Sequence, residues 1–168
     1  MNQIAKIIEN RLCCIINVQL SQVGRAGNLA WFCFGEDVAV QNYKGENTIK
    51  SEYSLNVQCA FRIVQDKKII LASSDMYIPN SKMQFVHEFD WDVQGANRFD
   101  ELAKAWKGNT IIVDSLKSDD FGGLKIYFSN EAVLEIFPDM SAPEECWRFF
   151  ECQSAEKHVV ITGQGILA

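Results

Sequence analysis

The sequence predicts an α+β fold: one domain, mostly antiparallel sheet, built from two similar β-meander units with an N-terminal helix and a central helix. Three observations lead there. Short runs of alternating apolar and polar residues recur along most of the chain. Helical spacing occurs at only two places, near the start and over 98–107. The stretches "CAFRIVQDKKIILASSD" and "CWRFFECQSAEKHVVITGQGI" follow one pattern: an aromatic–Arg strand, a charged turn and an aliphatic strand.

The elements follow in order. Ile4, Ile7, Ile8 and Leu12 form one apolar stripe of a short helix. "CCIINVQL" reads as a strand, "GRAGN" as a glycine loop, and "LAWFCF" as a central strand with both faces apolar. The polar "GEDVAVQNYKGENTIKSE" has room for a hairpin. In "SLNVQCAFRIV" one face carries Leu55, Val57, Cys59, Phe61 and Ile63, the clearest strand in the chain. "QDKK" turns it into "IILAS", and an irregular acidic and aromatic stretch, "FVHEFDWDVQG", follows.

Asn97 is placed to cap the central helix, with Asp100 and Glu101 in its first turn and Gly108 past its end. Phe99, Leu102, Ala103 and Trp106 supply its buried stripe. Five strands are expected beyond it: "TIIVDSL", "GLKIYFSN", "AVLEIF", "CWRFFE" and "HVVITG". "SNEA" is a tight turn with Asn130 at positive φ. "PEECWRFF" suits a helical turn through Pro143, but its Trp and Phe favour a strand.

The halves, roughly 12–78 and 109–166, align by eye. Leu20 matches Leu116, Leu29 matches Leu124, Phe34 matches Phe128, and Phe61-Arg62 matches Trp147-Arg148. Each unit alone leaves an apolar face open, and two packed together bury both.

At 168 residues and 48% hydrophobic, the chain can build one substantial core. Domains of this size bury roughly 70% of the unfolded chain's surface, so neither metal nor disulfide is required. The net charge of −6 and the scattered lysines and arginines argue against a nucleic-acid partner, which needs clustered cations. They are compatible with a basic protein partner. No run approaches the ~20 apolar residues of a membrane span, and the opening residues lack a secretory pattern. The expected location is therefore the cytoplasm, with Cys13, Cys14, Cys33, Cys59, Cys146 and Cys152 reduced. A homo-oligomer is left open.

Candidate chemistry is sparse. Arg62 and Arg148 offer planar forks for an anion in a cleft between the units, or ion pairs with carboxylates such as Asp75, Asp114, Glu135 or Glu151. His87, Glu88, Asp90 and Asp92 sit close enough in sequence for a cation, but they match no metal motif. The cysteines and His158 lack zinc spacing. No nucleophile elbow or phosphate loop is present. No cofactor is expected and no catalytic residue is assigned. Phe85, Phe89, Asp90, Trp91 and Asp92 form the best candidate interface, with aromatic anchors among steering carboxylates.

On "LNVQCAFRI", "GGLKIYFSN", "FDELAKAW" and "WRFFE…HVVITGQGI", the chain resembles a set of small uncharacterised bacterial proteins. These share a "GRAGN"-like loop, a "QC-W/F-R" strand and a "WR-x-F-E…VVTG-x-G" ending. The resemblance spans nearly the whole chain and implies no activity, so no site residue comes with it. Small acidic bacterial proteins of this type include immunity partners that block a toxin. By that analogy the expected function is a non-enzymatic protein-binding module for a basic partner. The alternative is a small-molecule or anion-binding domain, with Arg62 and Arg148 lining its cleft.

Overall fold

The computed structural model describes residues 3–42, 44–83 and 88–167. Its first helix, α1 (Gln3–Leu12), buries Ile8 and Leu12 completely and rests Ile4 against the core. The next residues are not the expected strand. Cys13–Ile15 form a 3-10 turn, and Asn17 then turns the chain at φ 65°. "CCII" is a continuous apolar run without alternation, so its period could not separate helix from strand.

Eleven strands follow among the described residues. They are β1 (Leu20–Ala26), β2 (Leu29–Gln41), β3 (Asn47–Val57), β4 (Ala60–Gln65), β5 (Lys68–Ala72), β6 (Val113–Ser118), β7 (Leu124–Phe128), β8 (Val133–Phe137), β9 (Glu145–Glu151), β10 (Val159–Thr162) and β11 (Gly165–Leu167). They make a six-stranded sheet, β1-β2-β3-β9-β10-β11, and a five-stranded sheet, β5-β4-β8-β7-β6. Every paired neighbour is antiparallel. With the helices, the fold is α+β.

"SLNVQCAFRIV" is not one strand but the point where the chain changes sheets. Its inward residues stay in phase throughout, and Leu55, Val57, Cys59, Phe61 and Ile63 are all buried. The break comes at Gln58 and Cys59, whose amides both donate to the Cys146 carbonyl, at 2.8 and 3.1 Å. Alternation records only which side faces the core, and that side is the same in both sheets.

The units are therefore not self-contained. Each half supplies a three-stranded meander, β1–β3 or β6–β8, and each then places a hairpin on the other half's meander. β4 pairs with β8, and β9 pairs with β3. The pairings correspond in detail. Leu20 opposes Phe34 and Val113 opposes Phe128, with a bulge directly after each. Arg62 lies between Ala72 and Glu135, and Arg148 between Val160 and Asn56. By pairing, Leu20 corresponds to Val113 rather than Leu116, and Leu124 to Ala30 rather than Leu29. The connecting loops differ in length, and this shifts a purely sequential alignment.

The sheets pack face to face. Phe32 meets Phe61 edge-on with centroids 5.4 Å apart, and Phe61 meets Phe99 in the same way at 6.1 Å. Trp147 is fully buried, and its indole N–H donates to the Gly122 carbonyl at 2.7 Å. The second helix, α2 (Arg98–Ala103), closes one end. Asn97 caps it by accepting the Asp100 amide at 2.9 Å. The helix is shorter than expected, tightening into a 3-10 turn over Lys104–Trp106 before Gly108 at φ 83°. In "SNEA" the positive φ falls on Glu131, while the Asn130 carboxamide oxygen accepts the Ala132 amide.

Gly163 marks the tightest backbone approach. A Cβ there would collide with the Met140 carbonyl oxygen and stand 2.5 Å from that of Ala142. Both obstacles are main chain and cannot swing aside. Gly163→Ala is expected to lower stability by about 1–3 kcal/mol, read as a reduced urea midpoint with unchanged slope.

Candidate functional site

The described part of the acidic, aromatic stretch, residues 88–95, forms a lobe built on a buried arginine. Arg25 lies within β1, not in the loop expected for "GRAGN"; the turn is Gly27-Asn28. Its side chain points inward in phase with Val23, and only 2% of the residue is exposed. A buried guanidinium requires every donor to be met. Asp100 receives Nε and one terminal nitrogen, both at 2.9 Å. The carbonyls of Gly27 (3.1 Å), Val93 (3.2 Å) and Asp92 (3.4 Å) accept the remaining bonds, and the Asp92 carboxylate stands 3.6 Å away.

Asp100 is saturated from its own side as well. It accepts the Gly95 amide at 2.7 Å and the Gln94 carboxamide at 3.4 Å. Asn97, with no exposure at all, donates to the Trp91 carbonyl at 2.9 Å. Lower down, the Asn80 side chain donates to the Gly95 carbonyl and its amide to the Ala96 carbonyl. The lobe backbone is thus held at several carbonyls by buried polar side chains.

Above that base the lobe presents its other side chains. Trp91, half-buried, packs on Tyr77 with ring centroids 5.0 Å apart. Tyr77, Ile78 and Val93 are all exposed by 45% or more, the first two adjoining Trp91 through the Tyr77 ring and Val93 two residues beyond it. Glu88, Asp90 and Asp92, on the same segment as Trp91, are exposed. Asp90 accepts the Asp92 amide at 3.0 Å, a local turn that fixes both. Of the residues singled out by sequence, Asp90, Trp91 and Asp92 come together here. His87 and Phe85 lie outside the described residues.

Arg62 and Arg148 are not brought together. Each points away from the core, on a different sheet, so no cleft lies between them. Arg62 donates through Nε to Glu135 at 2.6 Å and lies over Phe137 at 5.3 Å. Lys125 reaches the second Glu135 oxygen at 2.7 Å. Burial pushes the Glu135 carboxyl up, but the bonds from Lys125 and Arg62 outweigh it and hold the group below the usual range. Arg148 forks onto Glu145, with its closest approach at 2.5 Å, and contacts His158 Nδ1 at 3.1 Å. Burial, and then the Arg148 charge, push His158 down.

Four of the thiols are poor nucleophiles. Burial pushes Cys59 up to about 12 and also raises Cys33, Cys146 and Cys152. Among the described residues, no group of three or more His, Cys, Asp or Glu converges to hold a metal. No helix among them is long and apolar enough to cross a membrane.

Sequence reasoning missed Arg25 and the partner role of Asp100. The cap at Asn97 and Asp100 was visible. So was the phase of Arg25 with Val23, but two nearby glycines suggested a loop. No protein-family profile, curated protein or solved structure matches this chain.

Breaking the buried pair from one side leaves an uncompensated charge. Asp100→Asn is therefore expected to cost about 3–5 kcal/mol, measured by urea unfolding. Glu135 should carry a pH signature. A carboxyl lowered on folding contributes fully above its unfolded value and loses that contribution as pH falls through the folded one. The stability difference between wild type and Glu135→Gln should be constant near neutrality and shrink below about pH 4.5.

Proposed function

We propose that this protein is a non-enzymatic protein-binding module whose lobe covers a basic surface on its partner. One observation carries the reading. Tyr77 and Ile78 stay exposed where Tyr77 packs on Trp91, and exposed Asp90, Asp92 and Val93 flank Trp91 on a segment whose Asp92 and Val93 carbonyls a buried arginine holds in place. Exposed apolar groups rimmed by charge mark interaction sites. A rigid base lowers the ordering cost of binding. Aromatic anchors supply desolvation energy, and the carboxylates speed encounter with a cationic partner.

The overall charge of −6 favours the same class of partner, and an immunity-like role of masking a basic protein's working surface fits it. The six cysteines, all free, suit the cytoplasm, where thiols stay reduced.

The test is native mass spectrometry on the protein isolated at low salt from its own cells, followed by affinity measurement on the complex. A stoichiometric basic protein is expected, with affinity falling as salt rises. Asp90→Lys should weaken it about tenfold, and Tyr77→Ala comparably. Asp92 is the poorer choice for reversal because its carboxylate also faces Arg25. A chain that carries no protein, or a complex indifferent to both salt and Asp90→Lys, would overturn the proposal.

A further inference from the structure

The solvent face of the six-stranded sheet carries a depression of about 420 Å³, on the scale of small-molecule sites. Strand register dictates its floor. One rung across the sheet reads Gly24, Trp31, Asn56, Arg148, and the next reads Gln22, Cys33, Ser54, Phe150. Beyond these rungs β2 is interrupted by an irregularity between Phe34 and Asp37, with Gly35 at φ 84°. The far part of the β2–β3 hairpin then puts Ile49, Lys50 and Ser51 on the same depression as Trp31.

Three features distinguish this hollow from ordinary sheet surface. First, the Trp31 indole lies across the β1 backbone. A Cβ on Gly24 would stand 2.6–2.8 Å from three atoms of the ring, so glycine is required for the ring to settle there. One indole face is thereby committed to the protein, and the ring remains half-exposed. Second, the opposite wall is fixed: Phe150 stacks on His158 with centroids 4.5 Å apart and an interplanar angle of 14°. Third, the polar groups are few and none of them is acidic. Ser51 and Ser54 are buried although they lie on the solvent side. Asn56 accepts the Ser54 hydroxyl at 2.9 Å, and among the described residues its NH₂ has no protein partner. No carboxylate lines the hollow, and none pairs with Lys50 among the described residues.

We propose that this depression binds a flat aromatic molecule that is neutral or carries a single negative charge. Its ring would lie against Trp31 and Phe150, where stacking and apolar burial combine. The Asn56 and Gln22 carboxamides would meet polar atoms at its edge. Lys50 sets the charge preference: in a chain with 22 acidic residues, this hollow has a cation on its rim and no acid. A cationic ring finds no counter-charge there.

Three probes sharing one ring isolate the charge: 2-naphthoate, 2-naphthamide and 2-naphthylmethylammonium. Each is titrated into the full chain by calorimetry while the Trp31 indole N–H is followed by NMR. The acid and the amide should bind and shift that resonance, with the acid tighter, and the ammonium compound should bind about tenfold more weakly or not at all. Trp31→Ala should abolish binding of the first two. Because that variant also exposes Gly24, the surface variant Lys50→Glu supplies the independent arm, weakening naphthoate about tenfold while leaving naphthamide unchanged. The proposal is overturned if no probe moves the indole resonance at millimolar concentration. It is equally overturned if the ammonium compound binds as well as the acid, or if Lys50→Glu leaves naphthoate binding intact.

Discussion

A guanidinium with no access to water is tolerated only when every N–H finds an acceptor, and the far end of this molecule is arranged around that requirement. Arg25 takes both oxygens of Asp100 and backbone carbonyls from its own turn and from the lobe. A loop rich in aspartate would repel itself and wander if left alone. Here its carbonyls are needed as ligands for a cation, so the path of the chain is specified by charge compensation rather than by apolar burial. Such pairs add little net stability over a hydrophobic substitute, but they discriminate strongly among arrangements, because any other path strands a charge.

The same logic, at lower stakes, organises the outer faces of the sheets. Glu135 gathers Arg62 and Lys125, while Glu145 gathers Arg148. These groups are partly solvated, so their attraction is screened and their role is mainly to fix orientation. The acidic lobe and the carboxylate-free hollow beside Trp31 therefore belong to one strongly acidic chain but present opposite electrostatic characters. Net charge alone conceals that division.

What the sequence disclosed was period, and what it withheld was partnership. Alternation through Leu55, Val57, Cys59, Phe61 and Ile63 correctly identified the inward side, yet it gave no sign that the chain changes sheets at Gln58, because both sheets share that side. The cap at Asn97 was legible from local chemistry. Arg25 was not, since its meaning depends on Asp100, 75 positions away. The hollow around Trp31 was hidden for a related reason. It is made by Gly24, Asn56 and Phe150 meeting across register, together with a bend in β2 that no local propensity announces. The pairing of Arg62 with Arg148 in a single cleft failed because corresponding positions in two facing sheets point away from each other.

The exchange of hairpins between the halves has a consequence for how the chain is made. During synthesis β3 emerges long before β9, and β4 long before β8, so the first half is made with a sheet edge open on each of its parts. Exposed edges of this sort are where β proteins mispair with neighbouring molecules. Closing them requires contacts across most of the chain length, which is entropically slow to achieve. The native state gains a single continuous core from this interleaving, and it leaves a newborn chain vulnerable until its last strands arrive.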